Sequence, residues 1–177
     1  EVIPVSPKDY VDVRKDLRVR SYRSIHRVPT QGFTAYKRKQ KLRPDLMGAP
    51  REYLIHLREN GDNIHVDIEE PLFSYTGDTI IDVFKREEHL KNVPLVITEV
   101  SFFDDTVSKE ASRERGHIHI DDIVENAELF TQKAVLFMHS SSRFSLSQIE
   151  DICRKRLPSD LVQRLHLLPN NAPITGF

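Results

Sequence analysis

A chain of 177 residues with 38% hydrophobic content suffices for one ordinary core and is short for two. The single cysteine excludes an internal disulfide framework, and no apolar run approaches the roughly 20 residues of a membrane-spanning helix. The net charge of −1 argues neither for nor against a nucleic-acid partner.

The opening Glu1-Val2-Ile3-Pro4-Val5 lacks the basic flank and long apolar stretch of a secretory leader. The expectation is a soluble, cytoplasmic protein with no membrane partner, with organelle and nucleus left open. Charge is unevenly spread: twelve of the 26 Lys and Arg but five of the 27 Asp and Glu fall within residues 1–50. Arg14, Lys15, Arg18, Arg20, Arg23 and Arg27 form one cluster, and Lys37, Arg38, Lys39, Lys41 and Arg43 another. Such clusters beside a cleft would attract a polyanionic backbone. A solvated strand face is the simpler reading.

Along the chain, residues 17–22 alternate apolar and polar, as a half-buried strand does, and Pro29 ends the run. Residues 32–36 read as a short second strand. Pro50 opens a helix that Gly61 closes, with Tyr53, Leu54 and Leu57 on one face. Residues 64–68 alternate again, and residues 71–75 lead into a turn at Gly77-Asp78. A short helix is expected over 82–90. The apolar run 94–100 reads as a central strand covered on both faces. A helix is expected over 120–130, a buried strand over 133–138, and a helix opened by a Ser147–Glu150 capping box and stopped by Pro158. Cys153 falls on the apolar face of that helix, as a buried free thiol would. Residues 165–168 form a last strand. The alternation of strands and helices places the chain in the α/β class, in one unit.

Several polar residues stand at strand ends. His26, Asp78 and His139 each follow an apolar run, and two imidazoles with one carboxylate form part of a zinc site, not a whole one. Gly77 permits a sharp turn there, and the Asp78 carboxylate has two oxygens with which to bridge a pair of cations about 3.5–4 Å apart. Asp78 read alone is an ordinary turn residue. Ser140-Ser141-Ser142-Arg143 supplies hydroxyls and a guanidinium suited to phosphate oxygens, or simply a polar loop before a helix. His117, ahead of a helix start, could donate a proton to a leaving oxygen, and His117 with His119 could instead be zinc ligands or a surface strand. Glu99, inside an apolar strand, requires a partner, and a histidine would serve. His56, His65, His89 and His166 show no clustering and are expected to be non-functional.

In order, His26, Gly77-Asp78-Thr79, Thr98-Glu99-Val100-Ser101-Phe102, Arg115-Gly116-His117 and His139-Ser140-Ser141-Ser142-Arg143-Phe144 resemble the second part of tRNase Z (ribonuclease Z), a zinc-dependent phosphodiesterase of the metallo-β-lactamase fold. Residues 101–108 and 115–120 look most like the short-form enzymes. The resemblance extends from about Leu17 to about Leu168. It implies that His26, in its His…Gln31-Gly32-Phe33 setting, is a zinc ligand, that Asp78 bridges two zinc ions, and that His139 is the last histidine ligand. It further implies that His117, with Glu99, assists the leaving group and that Ser141 and Arg143 meet phosphate. Thr98, Val100 and Ser101 depart from the family's His-Glu-Ala-Thr, and Phe144 stands where the family has tyrosine.

The family's main metal motif, His-x-His-x-Asp-His, occurs nowhere in the 177 residues. The expectation is therefore an incomplete domain over 1–177, the C-terminal part of an αββα sandwich, nearly inactive alone. The intact parent would hold two Zn2+ and remove the 3′ trailer from precursor tRNA, as a homodimer if the family pattern holds. Two other readings remain at this point: a phosphodiesterase acting on small substrates, and a non-catalytic relative that binds RNA.

Overall fold

In the computed structural model the described residues run from 4 to 168. The first three residues of the stretch read above for a leader lie outside them. Three strands, β1 (Tyr10–Arg14), β2 (Leu17–Arg23) and β3 (Gln31–Leu42), form an antiparallel meander. β4 (His65–Tyr75) pairs antiparallel with β3. From there β5 (Leu95–Glu99), β6 (Ala134–Met138) and β7 (Leu165–Leu167) add in parallel, giving one seven-stranded sheet in sequence order.

The change of sense follows from the connections. Parallel neighbours need a crossover, and helices appear in each one. α1 (Arg51–Glu59) sits in the antiparallel β3–β4 connection, while α2 (Asp82–Arg86) lies in the first crossover, between β4 and β5. α3 (Lys109–Arg115) and α4 (Ile120–Glu125) join β5 to β6, and α5 (Leu146–Arg156) and α6 (Ser159–Gln163) join β6 to β7. Two antiparallel pairings separate β2 from β4, so β2, β4, β5 and β6 all run the same way. Their C-terminal ends therefore share one edge of the sheet.

Several expected boundaries move. β3 is twelve residues long, and β4 runs straight through Pro71. Pro71 sits opposite Tyr36 where the register shifts, so its missing N–H falls at a bulge. The helix expected over 82–90 ends at Arg86 and gives way to a 3-10 turn, Glu88–Asn92. The helix expected over 120–130 ends at Glu125 and is followed by a 3-10 turn, Ala127–Leu129. The capping box of α5 is formed by Ser145 and Gln148 rather than Ser147 and Glu150. β1, α3 and α6 were not read from the sequence; α3 is mostly charged and lacks an apolar stripe, though Ser108 caps its start and Gly116 its end.

Cross-strand register divides the sheet into two faces. One row runs Arg20, Thr34, Ser74, Val96, Val135, Leu165; the next runs Ser21, Phe33, Tyr75, Ile97, Leu136, His166. The first face meets the helices. Val96, Val135 and Phe137 join Val83, Phe84, Ile120, Ile123, Ile149 and Cys153 in the core. On the second face Phe33, Tyr75, Leu95, Ile97, Leu136 and Met138 stay only half-buried. The central strand is thus apolar on both sides but covered on one, contrary to the expectation for residues 94–100.

The basic clusters are largely paired across strands. Arg18 bonds Asp12 at 2.6 Å and Glu69 at 2.8 Å, Arg38 meets Asp12 at 3.3 Å, and Lys39 pairs with Glu70. Arg18 holds the Asp12 carboxyl below its usual range, and Lys39 does the same for Glu70. Much of this face is balanced by acids from β1 and β4.

Candidate metal centre

Four same-sense strands deliver polar residues to one sheet edge, where ligands of open α/β sheets generally bind. Beyond β4 the chain turns at Gly77, whose φ of +63° is a left-handed value. A Cβ there would lie 2.8 Å from the Gln31 carbonyl oxygen, so the turn tolerates no side chain. The loop after β2 is tied to this turn. Ser24 Oγ donates to the Thr76 carbonyl, Ile25 N donates to Thr79 Oγ1 at 3.0 Å, and Ile80 N donates to the Ile25 carbonyl at 2.9 Å. His26 and Asp78 are thereby carried on two loops tied to each other by hydrogen bonds. His139 follows β6 directly and has a φ of +59°, a strained conformation for a histidine.

Glu99 ends β5 almost fully buried, at 1% exposure. A buried carboxylate is costly unless its oxygens are satisfied. Oε1 accepts from Thr79 N at 3.2 Å, from Ile118 N at 3.2 Å and from His117 Nδ1 at 3.0 Å, and Oε2 accepts from Ser101 Oγ at 2.9 Å. The partner the sequence required for Glu99 is thus His117. That bond raises the His117 pKa above the usual imidazole value, with burial opposing it.

Three imidazoles gather here. The His26 and His117 ring centroids are 4.9 Å apart, and the His117 and His139 rings stack at 5.4 Å. His26 Nδ1 lies 2.8 Å from the Gly116 carbonyl oxygen, so Nδ1–H donates and Nε2 keeps its lone pair. Gly116 allows this approach: it has a φ of +86°, and a Cβ would come within 2.3 Å of that nitrogen.

Asp78, His117 and His139 each offer one ligand atom, and these atoms lie within 4.8 Å of one another. Zinc ligands sit about 2.0–2.2 Å from the ion, so donors of a tetrahedral site are about 3.4 Å apart. The three side chains are of the right types for a cation and would have to draw together to close on one. Asp78 and His139 lie 3.8 Å apart, between Oδ1 and Nδ1. His117 enters the cluster and His26 stands beside it.

Ser141 and Arg143 lie on the loop after His139. Ser141 N donates to the Ser101 carbonyl at 3.0 Å. Arg143 donates to Ser141 Oγ at 3.3 Å and to Thr106 Oγ1 at 2.5 Å, with Asp104 3.6 Å away. Its guanidinium is exposed but tethered. Phe144 packs edge-on against Phe103 at 5.7 Å and beside the core, a place that asks for no hydroxyl.

His119 is fully buried: Nδ1 accepts from Asp121 N at 3.2 Å and Nε2 donates to the Asp104 carbonyl at 3.1 Å. Nδ1 caps α4 and Nε2 is taken by the loop after β5, which leaves neither for a metal. His89 bonds Thr34 at 2.9 Å and His56 bonds Asn60 at 3.1 Å, both outside the cluster. Sequence reasoning gave no role of their own to Thr79 and Ser101; a small hydroxyl residue after a strand carries no distinctive signal.

No family model matches the chain. It is 35% identical over 158 residues to tRNase Z TRZ1 of Arabidopsis thaliana, covering 88% of this chain and 56% of that protein. It is 30% identical over 157 residues to the chloroplastic tRNase Z TRZ2 of the same plant, covering 88% of this chain and 44% of that one. The chain therefore spans about half the length of the curated relatives it matches. Among solved structures, the metallo-β-lactamase fold protein YhfI from Bacillus subtilis superposes with a TM-score of 0.56 at 12% identity, over 94% of this chain and 52% of that one. The chain resembles tRNase Z in sequence and has the metallo-β-lactamase fold, over about half of its extent.

Proposed function

We propose that this chain is the C-terminal part of a zinc-dependent endoribonuclease that removes the 3′ trailer from precursor tRNA. The observation that carries the reading is the convergence of His26, Asp78, His117 and His139 at one sheet edge, with His117 backed by the buried Glu99. The similarity to two tRNase Z proteins over 88% of the chain supports the substrate class.

In this reading His26, Asp78 and His139 hold the metal, and the remaining ligands come from a His-x-His-x-Asp-His segment outside these 177 residues. Two zinc ions, when bound, supply Lewis acidity and positive charge at the scissile phosphate. Asp78 has two carboxylate oxygens, enough to serve both ions. His26 presents Nε2 because Gly116 occupies Nδ1. His117 is the proton carrier rather than a ligand. Its Nδ1 is engaged by Glu99, which favours the charged imidazole and so suits it to carry a proton. Nδ1–H stays on Glu99 while Nε2–H gives its proton to the departing 3′ oxygen of the tRNA. Arg143, released from Asp104, would pair with a phosphate oxygen, and Ser141 would add a hydroxyl. The assembly is a homodimer located in the cytoplasm, nucleus or an organelle. No helix among the described residues is long and apolar enough to cross a membrane.

The test is the longer polypeptide encoded with this chain, purified with zinc and given a 3′-trailered precursor tRNA. Cleavage at the trailer junction, lost in Asp78→Ala together with bound zinc, is the expected result. A longer protein that binds zinc through these residues but leaves the precursor intact overturns it.

A further inference from the structure

We propose that Ser101 is a positioning residue whose hydroxyl links Glu99 to His139 and fixes which ring nitrogen of His139 carries the proton. Ser101 is 5% exposed, two residues beyond Glu99. Its Oγ lies 2.9 Å from Glu99 Oε2, 3.2 Å from His139 Nδ1 and 3.2 Å from the His139 carbonyl oxygen.

A hydroxyl has one proton to give. Glu99, already the acceptor of three N–H groups at Oε1, can only accept from Ser101. The carboxylate is both the nearest acceptor and the charged one, so the Ser101 proton points to it rather than to the His139 carbonyl. Ser101 Oγ then faces His139 Nδ1 with lone pairs alone. A bare Nδ1 would oppose lone pair to lone pair, so Nδ1 carries the proton and donates. The other candidate acceptor, Asp78 Oδ1, is 3.8 Å from Nδ1, beyond hydrogen-bond range.

The consequence is a relay, His139 Nδ1–H to Ser101 Oγ–H to Glu99, beside the direct bond from His117 Nδ1 to the same carboxylate. One buried carboxylate thus orients two neighbouring rings. It leaves the Nε2 lone pair of His139 for a cation. That last consequence rests on the ligand role proposed for His139; the tautomer itself is a property of the chain alone.

The test is proton–nitrogen correlation spectroscopy of the histidine rings in the metal-free chain, above the imidazole titration range, with His139 assigned from the His139→Gln spectrum. Wild type is expected to show the Nδ1–H tautomer at His139. Ser101→Ala should lose it in favour of Nε2–H, while His117 stays on Glu99, and Ser101→Thr should restore it. Backbone bonds from Ser101 N to the Ile118 carbonyl and from Ser141 N to the Ser101 carbonyl do not depend on the hydroxyl. An Nε2–H tautomer in wild type overturns the proposal even if Ser101→Ala fails to fold. So does an Nδ1–H signal undiminished in a folded Ser101→Ala. Failure of the wild-type longer polypeptide to cleave precursor tRNA or take up zinc would count against the proposed function and leave this result unaffected.

Discussion

Glu99 Oε1 stands 3.0 Å from His117 Nδ1, deep in the sheet edge and shielded from solvent on the carboxylate side. The pair gives the metal-free chain a defined pH dependence. Glu99 raises the folded-state pKa of His117 above its ordinary value of about 6.5, and the charged imidazole is what the fold prefers. Its contribution to stability is therefore fully present below the unfolded pKa and disappears as pH rises through the folded one. Urea unfolding across that window should show wild type losing stability with rising pH. Glu99→Gln should lack this slope and be less stable by about 1–3 kcal/mol on the acid side, where a charge-assisted bond has been removed. Parallel slopes in the two proteins would show that Glu99 does not set the titration of His117.

Gly77 and Gly48 both have positive φ, +63° and +85°, but their surroundings differ. A Cβ at Gly48 meets nothing within 4 Å, so Gly48→Ala bears backbone strain alone, about 1 kcal/mol. A Cβ at Gly77 runs into the Gln31 carbonyl and Thr30, which hold the loop that carries His26. Gly77→Ala should cost about 2–4 kcal/mol, since strain and a steric displacement act together. Thermal unfolding of the two variants gives the comparison, and equal losses would mean that the turn beneath Asp78 yields easily.

Much of this arrangement was legible because period and punctuation are local. Strand alternation at residues 17–22, the apolar runs at 95–99 and 134–138, and Pro158 after α5 follow from nearest-neighbour chemistry. Residues standing at strand ends could be singled out for the same reason. Their convergence follows from β2, β4, β5 and β6 running the same way, which pairing decides and composition does not. The partner of Glu99 was foreseeable from the cost of a buried carboxylate. The relay through Ser101 was not, because it depends on a 3.2 Å approach between residues 38 positions apart. His119 was misleading for a related reason: its spacing from His117 suggests a ligand pair, yet its ring turns inward to cap α4.

Cys153 is buried on α5 against the core, and burial pushes its thiol up to about 12. The thiolate is the reactive form, so neither charge state nor access favours reaction in the folded chain. A disulfide exchange reagent near neutral pH should label native protein at least about 100-fold more slowly than protein unfolded in urea, with the native rate tracking global opening. Fast labelling without unfolding would place the thiol outside the core. Cys153→Ser puts an unpaired hydroxyl in the same place and should cost about 1–3 kcal/mol.

The second face of the sheet leads to a prediction about assembly. Phe33, Tyr75, Ile97 and Leu136 form one cross-strand row, and each is only half-buried although its neighbour row is sealed by helices. An apolar row left partly open to solvent is the kind of surface that a further layer can cover. In the proposed enzyme that cover is the second layer of the sandwich, borne by the polypeptide with the remaining metal ligands. The isolated chain should accordingly self-associate and bind a hydrophobic dye, and Ile97→Lys should reduce both while leaving its helical content intact. The same change in the longer polypeptide should do the opposite and prevent assembly of the zinc site, since a charge would then be buried between layers at a cost of several kcal/mol. Val96→Lys, one residue away but on the helix-covered face with no exposure, should unfold the isolated chain outright. If Ile97→Lys and Val96→Lys damage the isolated chain equally, the two faces are not distinct and no second layer is needed to explain the apolar row.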